Sequence, residues 1–135
     1  MITIVNYGMS NLGSIKNMLR KVGAASIITS DPDVIMKASK IILPGVGAFD
    51  TGMSCLQKMN LLDGLHHKAL VEKIPVLGVC LGVQLMTKGS EEGVLPGLGW
   101  FDAETKKFNF ANLNGRYPLP NMGWLDVKLA KPSKL

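Results

Sequence analysis

The chain is poor in the residues that bind metals, form disulfides or read nucleic acids, and each scarcity narrows what it can be. It has two cysteines, Cys55 and Cys80, and two histidines, His66 and His67. With no CxxC pair and no Cys/His spacing suited to zinc, neither a disulfide framework nor a structural metal is expected, and no cofactor motif stands in their place. No apolar run approaches the ~20 residues needed to span a bilayer. The amino end enters "ITIV" without the basic, apolar and small-residue regions of a signal peptide, so a soluble, cytoplasmic protein is expected. Aromatic residues make up only 6% of the chain and are not interleaved with its scattered lysines. The formal charge of +5 therefore reads as a solvated surface rather than a nucleic-acid site.

What is present is a core-forming composition. With 135 residues, 47% of them hydrophobic, the chain suits one domain over 1–135 and leaves no comfortable room for two. Ile2 to Asn6 reads as a strand, and "YGMSNLGS" as a turn. Leu12, Ile15, Met18, Leu19 and Val22 then recur at helical spacing until Gly23. Ala25 to Thr29 is a second strand, and Asp31 with Pro32 opens a second helix turning Val34, Ile35 and Ala38 inward. Ile41 to Leu43 forms a third strand, followed by a helix over Ala48 to Met59. Leu61, Leu62, Leu65, Ala69 and Leu70 predict another helix before a strand at Pro75 to Val79 and a helix after Cys80. Such alternation predicts an α/β fold, a parallel sheet covered on both faces, with ligands beyond the carboxyl ends of the strands. After Glu92 the pattern weakens into short strands and loops.

That rim carries "YGMSN", "PGVG" and "VCLG". Gly78, Cys80 and Gly82 make G-x-C-x-G, the cysteine counterpart of the nucleophile elbow, in which glycines let strand and helix close around a strained residue. The main-chain N–H of Leu81 would point at a developing oxyanion, and the helix amino end would favour a thiolate. The competing reading is a buried structural cysteine. In "PGVG", Gly45, Val46 and Gly47 offer main-chain N–H groups for the other half of an oxyanion hole, although an ordinary strand-to-helix turn would use the same glycines.

"LPGVGAF", "GVCLGVQLM" followed by "SEEG", and "PNMGW" resemble, in order and approximate spacing, the class I glutamine amidotransferases, most closely the glutaminase subunit of imidazole glycerol phosphate synthase. The resemblance runs from residue 2 to about residue 127. It implies a three-layer, flavodoxin-like parallel-sheet domain, carboxyl-terminally incomplete, that needs no cofactor. It further implies that Cys80 attacks the side-chain amide of glutamine to give a γ-glutamyl thioester and ammonia, with Gln84 and Glu92 holding the glutamine. Gly45, Val46 and Leu81 would form the oxyanion hole. Ammonia would pass to a (β/α)8-barrel synthase subunit of histidine synthesis, contacted by Asn11 and Trp124 in a heterodimer. The alternatives are a paralogue feeding a surface-sugar synthase, a shortened, non-catalytic binding subunit, and another α/β cysteine hydrolase, against which "PGVGAF" and "SEEG" count.

The chain departs from the family pattern at Asn6, where aspartate is usual, and at Asn121, where histidine is usual. The family's base and orienting carboxylate come from a His-x-Glu pair that lies beyond the point this chain reaches. His66 and His67, on a helix running away from the rim, read as surface residues. The sequence thus offers a nucleophile without its base.

Overall fold

A computed structural model describes residues 1–110, 122–126, 128 and 130–132. Asn121 and the YPLP segment lie outside the described residues, as does part of the basic stretch from Lys128 to Leu135. The elements are β1 (Ile2–Val5), α1 (Leu12–Lys21), β2 (Ser26–Thr29), α2 (Pro32–Met36), β3 (Ile41–Gly45), α3 (Phe49–Lys58), α4 (Leu62–His66), a π-helical turn (His67–Val71), β4 (Val76–Cys80) and α5 (Leu81–Leu85). All strand pairs are parallel, in the order β2-β1-β3-β4. Among the described residues after α5 the only ladder contact is an isolated bridge between Ser90 and Thr105.

Local chemistry sets the element ends. Asn11 caps α1 by accepting from the Ser14 N–H at 3.3 Å, and Asp31 caps α2 by accepting from the Asp33 N–H at 2.9 Å, with Pro32 next at a position where no amide donor is needed. The chain moves from β1 outward to β2, then crosses back over β1 to β3 and on to β4. Right-handed crossovers therefore place α1 on one face of the sheet and α2, α3 and α4 on the other. Burial agrees. Ile35, Phe49, Leu56, Leu61 and Leu65 pack into the core with Val5, Ile41 and Leu43, whereas α1 has no buried residue and leaves Met18 and Val22 exposed.

Two expectations are corrected here. Not every strand is buried on both sides: β4 is an edge strand, with Leu77 48% and Val79 39% exposed, because only β3 flanks it. The two histidines are half-buried and engaged rather than free surface groups. The Trp100 Nε1–H donates to His66 Nδ1 at 3.1 Å, and His67 pairs with Glu72 at 3.3 Å. The helix that bears them widens into the π-helical turn, where the buried Lys68 ammonium donates to Glu72 at 2.5 Å and to the Met36 carbonyl at 3.1 Å. The hydrogen bond from Lys68 is the main reason the Glu72 carboxyl is held below its ordinary range.

At the rim, the fully buried Tyr7 braces the end of β3: its hydroxyl donates to the Pro44 carbonyl at 2.6 Å. Burial, and after it the neighbouring Cys55 and Cys80, push the phenol well above its usual range. A tyrosine in an unfolded chain ionises near pH ~10, so above that pH the unfolded state sheds a proton that folded Tyr7 keeps. Stability from this group is full below pH ~10 and falls as pH rises beyond it. Urea midpoints measured from about pH 8 to 11 should decline on the alkaline side, and Tyr7→Phe should make that decline shallower. An unchanged alkaline slope in the variant would show that Tyr7 is not held neutral.

Candidate active site

Cys80 ends β4 and precedes α5 with φ 53 and ψ −118, one of three described non-glycine residues with positive φ. Such a backbone costs on the order of 1–3 kcal/mol and survives only where its surroundings enforce it. Two close approaches do so here. A Cβ at Gly82 would overlap the Leu43 carbonyl oxygen, and one at Gly78 would overlap the Val83 backbone. With both side chains absent, α5 folds back against β3 and β4, and buried Leu81 and Leu85 hold it there. The sulfur is thereby presented at the rim: Cys80 is exposed, while Cys55 on α3 is half-buried against the core. The expected helix amino end is short, since α5 has five residues. Its contribution comes from first-turn N–H groups more than from a long aligned dipole.

The oxyanion candidates flank Cys80. Gly45 is buried and lies in register with Cys80 across the β3–β4 ladder. Leu81 opens α5, so its N–H has no acceptor within the helix. Val46 is exposed, but its N–H donates to the Met9 carbonyl at 2.6 Å, so in this structure that donor already has a partner.

Gln84 lies in α5, four residues after Cys80. It and Glu92 line a cavity of about 580 Å³ together with Ser90, Thr105, Lys107 and Phe108, so the two glutamine-holding candidates are brought together. Cys80 is not among the lining residues; Gln84 is the link between elbow and cavity. The 105–108 side of this cavity escaped sequence reasoning because it arrives by tertiary contact. The Lys88 N–H donates to the Ala103 carbonyl, the Glu91 N–H to the Thr105 carbonyl, and the Lys107 N–H to the Glu91 carboxylate at 2.8 Å. That last bond, with Lys106 beside it, holds the Glu91 carboxyl below its ordinary range. No local pattern in "FDAETKKF" announces such a return.

Of the interface candidates, Asn11 is occupied in capping α1 while remaining exposed, and Trp124 is fully exposed between exposed Met122 and Leu125. Among the described residues no cluster of His, Cys, Asp and Glu could hold a metal, and no helix is long and apolar enough to cross a membrane.

Comparison with known proteins places this geometry in a family. The class I glutamine amidotransferase family matches residues 3–122. The chain is 52% identical over 135 residues to "Imidazole glycerol phosphate synthase subunit HisH 2" of Methanococcus maripaludis, covering 100% of this chain and 65% of that protein. It is 43% identical over 127 residues to the protein of the same name from Pseudomonas aeruginosa, covering 94% of this chain and 61% of that one. With "Imidazole glycerol phosphate synthase subunit HisH" of Leptospira interrogans the identity is 39%, over all of this chain and 66% of the relative. The chain thus spans less than two thirds of the length of these curated relatives. A solved structure of a glutamine amidotransferase superposes with a TM-score of 0.66 over 86% of this chain and 59% of its own, at 18% identity, which is a likeness of fold. Elbow, parallel sheet and matched sequence agree: this chain belongs to the class I glutamine amidotransferase family.

Proposed function

We propose that the chain is the nucleophile-bearing part of a glutaminase subunit that supplies ammonia to imidazole glycerol phosphate synthase in histidine biosynthesis, working in the cytoplasm. The observation that carries this reading is Cys80 at positive φ on a glycine-enclosed elbow, followed in α5 by Gln84, which lines a cavity together with Glu92. The names of the relatives support the choice of acceptor.

The chemistry follows from the groups present. The Cys80 thiolate adds to the side-chain amide carbon of glutamine, and the amide oxygen takes up the negative charge facing Leu81 and the Gly45–Val46 segment. For Val46 to donate to it, its bond to the Met9 carbonyl must be released. The C–N bond then breaks, the nitrogen takes a proton and leaves as ammonia, and a γ-glutamyl thioester remains for water to open to glutamate. Gln84 and Glu92 hold the amino-acid end. One group serves both steps: having taken the Cys80 proton it gives that proton, as a general acid, to the leaving nitrogen, and then acts as the general base that activates the water. His66 Nδ1 accepts from Trp100 and His67 Nε2 pairs with Glu72. That base is proposed to come from a His-x-Glu pair outside these 135 residues. Trp124 and Asn11 are proposed to meet the (β/α)8-barrel partner, since an exposed tryptophan among apolar neighbours is a strong interface anchor.

Three outcomes are expected. An electrophilic analogue of glutamine should alkylate Cys80 and spare Cys55 in the folded chain, read by peptide mass mapping; equal labelling of both would remove the elbow as the reactive centre. Steady ammonia release from glutamine by the 135-residue chain with a cognate synthase should fall on the order of a hundred- to ten-thousand-fold below that of a version extended with a relative's His-x-Glu region. Cys80→Ala should abolish the activity of the extended version. Equal rates from short and extended chains would mean that a base lies within these residues. Trp124→Ala should weaken association with the synthase in a titration while leaving the thermal midpoint within about 2 °C, because an exposed side chain contributes little to the fold. Undiminished association would remove Trp124 from the interface.

A further inference from the structure

The cavity wall that holds Glu92 is a loop, and a loop needs an anchor if it is to place a carboxylate accurately. Two of its bonds are local: the Glu92 N–H donates to Ser90 Oγ at 3.1 Å and the Gly93 N–H to the Ser90 carbonyl at 3.2 Å. The Val94 side chain is 92% exposed and gives the loop no apolar hold at that point. Beyond the loop, Glu91 is tied to the 105–107 segment, its N–H donating to the Thr105 carbonyl and its carboxylate accepting from the Lys107 N–H, and the contact from α3 is Asp50. Its two carboxylate oxygens accept the Val94 N–H at 3.1 and 2.9 Å, and Oδ1 also accepts the Leu95 N–H at 3.0 Å. Gly93 passes so close that a Cβ there would overlap the Asp50 carboxylate.

Asp50 is the second residue of α3, and Ala48, the cap of α3, follows the Pro44–Gly47 turn directly. One carboxylate therefore ties the loop two residues beyond Glu92 to the helix that leaves the oxyanion turn. Bonds from backbone N–H groups to a carboxylate are short and strong, and the pairing fixes both distance and direction. We infer that Asp50 is a positioning residue for glutamine: it sets where Glu92 stands relative to the elbow and so governs how tightly the amino-acid end is held. This rests on the reading of Glu92 as a glutamine contact. Helix-start acidic residues ordinarily serve the helix dipole. Here the carboxylate is turned to a second loop, and no sequence pattern marks the difference.

The test uses the full chain and a diazoketone analogue of glutamine that alkylates Cys80, with the half-saturating concentration and the limiting rate measured separately. Asp50→Ala should raise the half-saturating concentration on the order of ten- to a hundredfold, as a misplacement of about an ångström can. The limiting rate, and the rate of Cys80 alkylation by iodoacetamide, should stay within about twofold, since neither depends on the amino-acid end of the probe. Asp50→Asn, which keeps one acceptor oxygen and the side-chain shape, should fall between parent and Asp50→Ala. Because Asp50 acts through Glu92, Asp50→Ala added to Glu92→Ala should produce little further rise. Additive rises, an unchanged half-saturating concentration in Asp50→Ala, or a matching loss of iodoacetamide reactivity would each overturn the inference. If Glu92→Ala itself has no effect while the parent is alkylated normally, the assignment of Glu92 falls and this inference with it; if only Asp50→Ala has none, the inference falls alone.

Discussion

The site depends on one close approach, that of the α5 backbone at Gly82 to the carbonyl of Leu43 on β3. The conformation at Cys80 is a consequence of how near those two backbones lie. At ordinary helix-to-sheet separation the chain could leave β4 with negative φ, and Cys80 would point along the strand or into the core. At the observed separation the turn must reverse within one residue, and Cys80 takes φ 53. The strain is offset by what the same packing buries: Leu81 and Leu85 are essentially without solvent contact, and burying such side chains is worth roughly 1.5–3 kcal/mol each. The exposure of Cys80 and the burial of Leu81 and Leu85 are thus two sides of one constraint.

That constraint reaches outward through β3. Gly45 lies opposite Cys80 in the ladder, Pro44 is held by the Tyr7 hydroxyl, and Val46 is held by the Met9 carbonyl. The β1–α1 connection therefore grips this turn on either side of Gly45, with a buried side chain at Pro44 and main chain at Val46. The same connection continues to Asn11, the cap of α1. A change in the path of those few residues would alter the donors available to an oxyanion without disturbing the β3–β4 ladder that holds Cys80.

Much of this was legible in the sequence because the relevant signals are local. Apolar runs, the Asp31–Pro32 start, Gly23 after α1 and G-x-C-x-G all act within a few residues of themselves, and the elements appear within a residue or two of where those signals place them. What was not legible is set by partners distant in the chain. "VLGVC" reads the same at the centre of a sheet as at its edge, so the exposure of Leu77 and Val79 could not be seen. A main-chain N–H in "PGVG" looks available until the fold brings the Met9 carbonyl to Val46. His66 looked like a surface residue because Trp100, 34 positions away, is the group that engages it. Asp50 resembled a helix-start acid for the same reason.

The edge position of β4 bears directly on how Cys80 could be served by a base. On its β3 side the cysteine is flanked by Gly45, with Tyr7 filling the space behind, and beneath it buried Leu81 closes the approach. Toward α5 the turn is occupied by backbone in contact with Leu43 and Pro44. The open directions are the rim above and the free edge of β4, which among the described residues no strand covers. A group able to take a proton from Cys80, or give one to a leaving amine, must reach it from there within about 3 Å of the reacting atom. The histidines of this chain lie where α4, which packs against α2, meets the π-helical turn, and they are engaged with Trp100 and Glu72. Among the described residues no strand pairs along the free edge of β4, the strand that ends at Cys80.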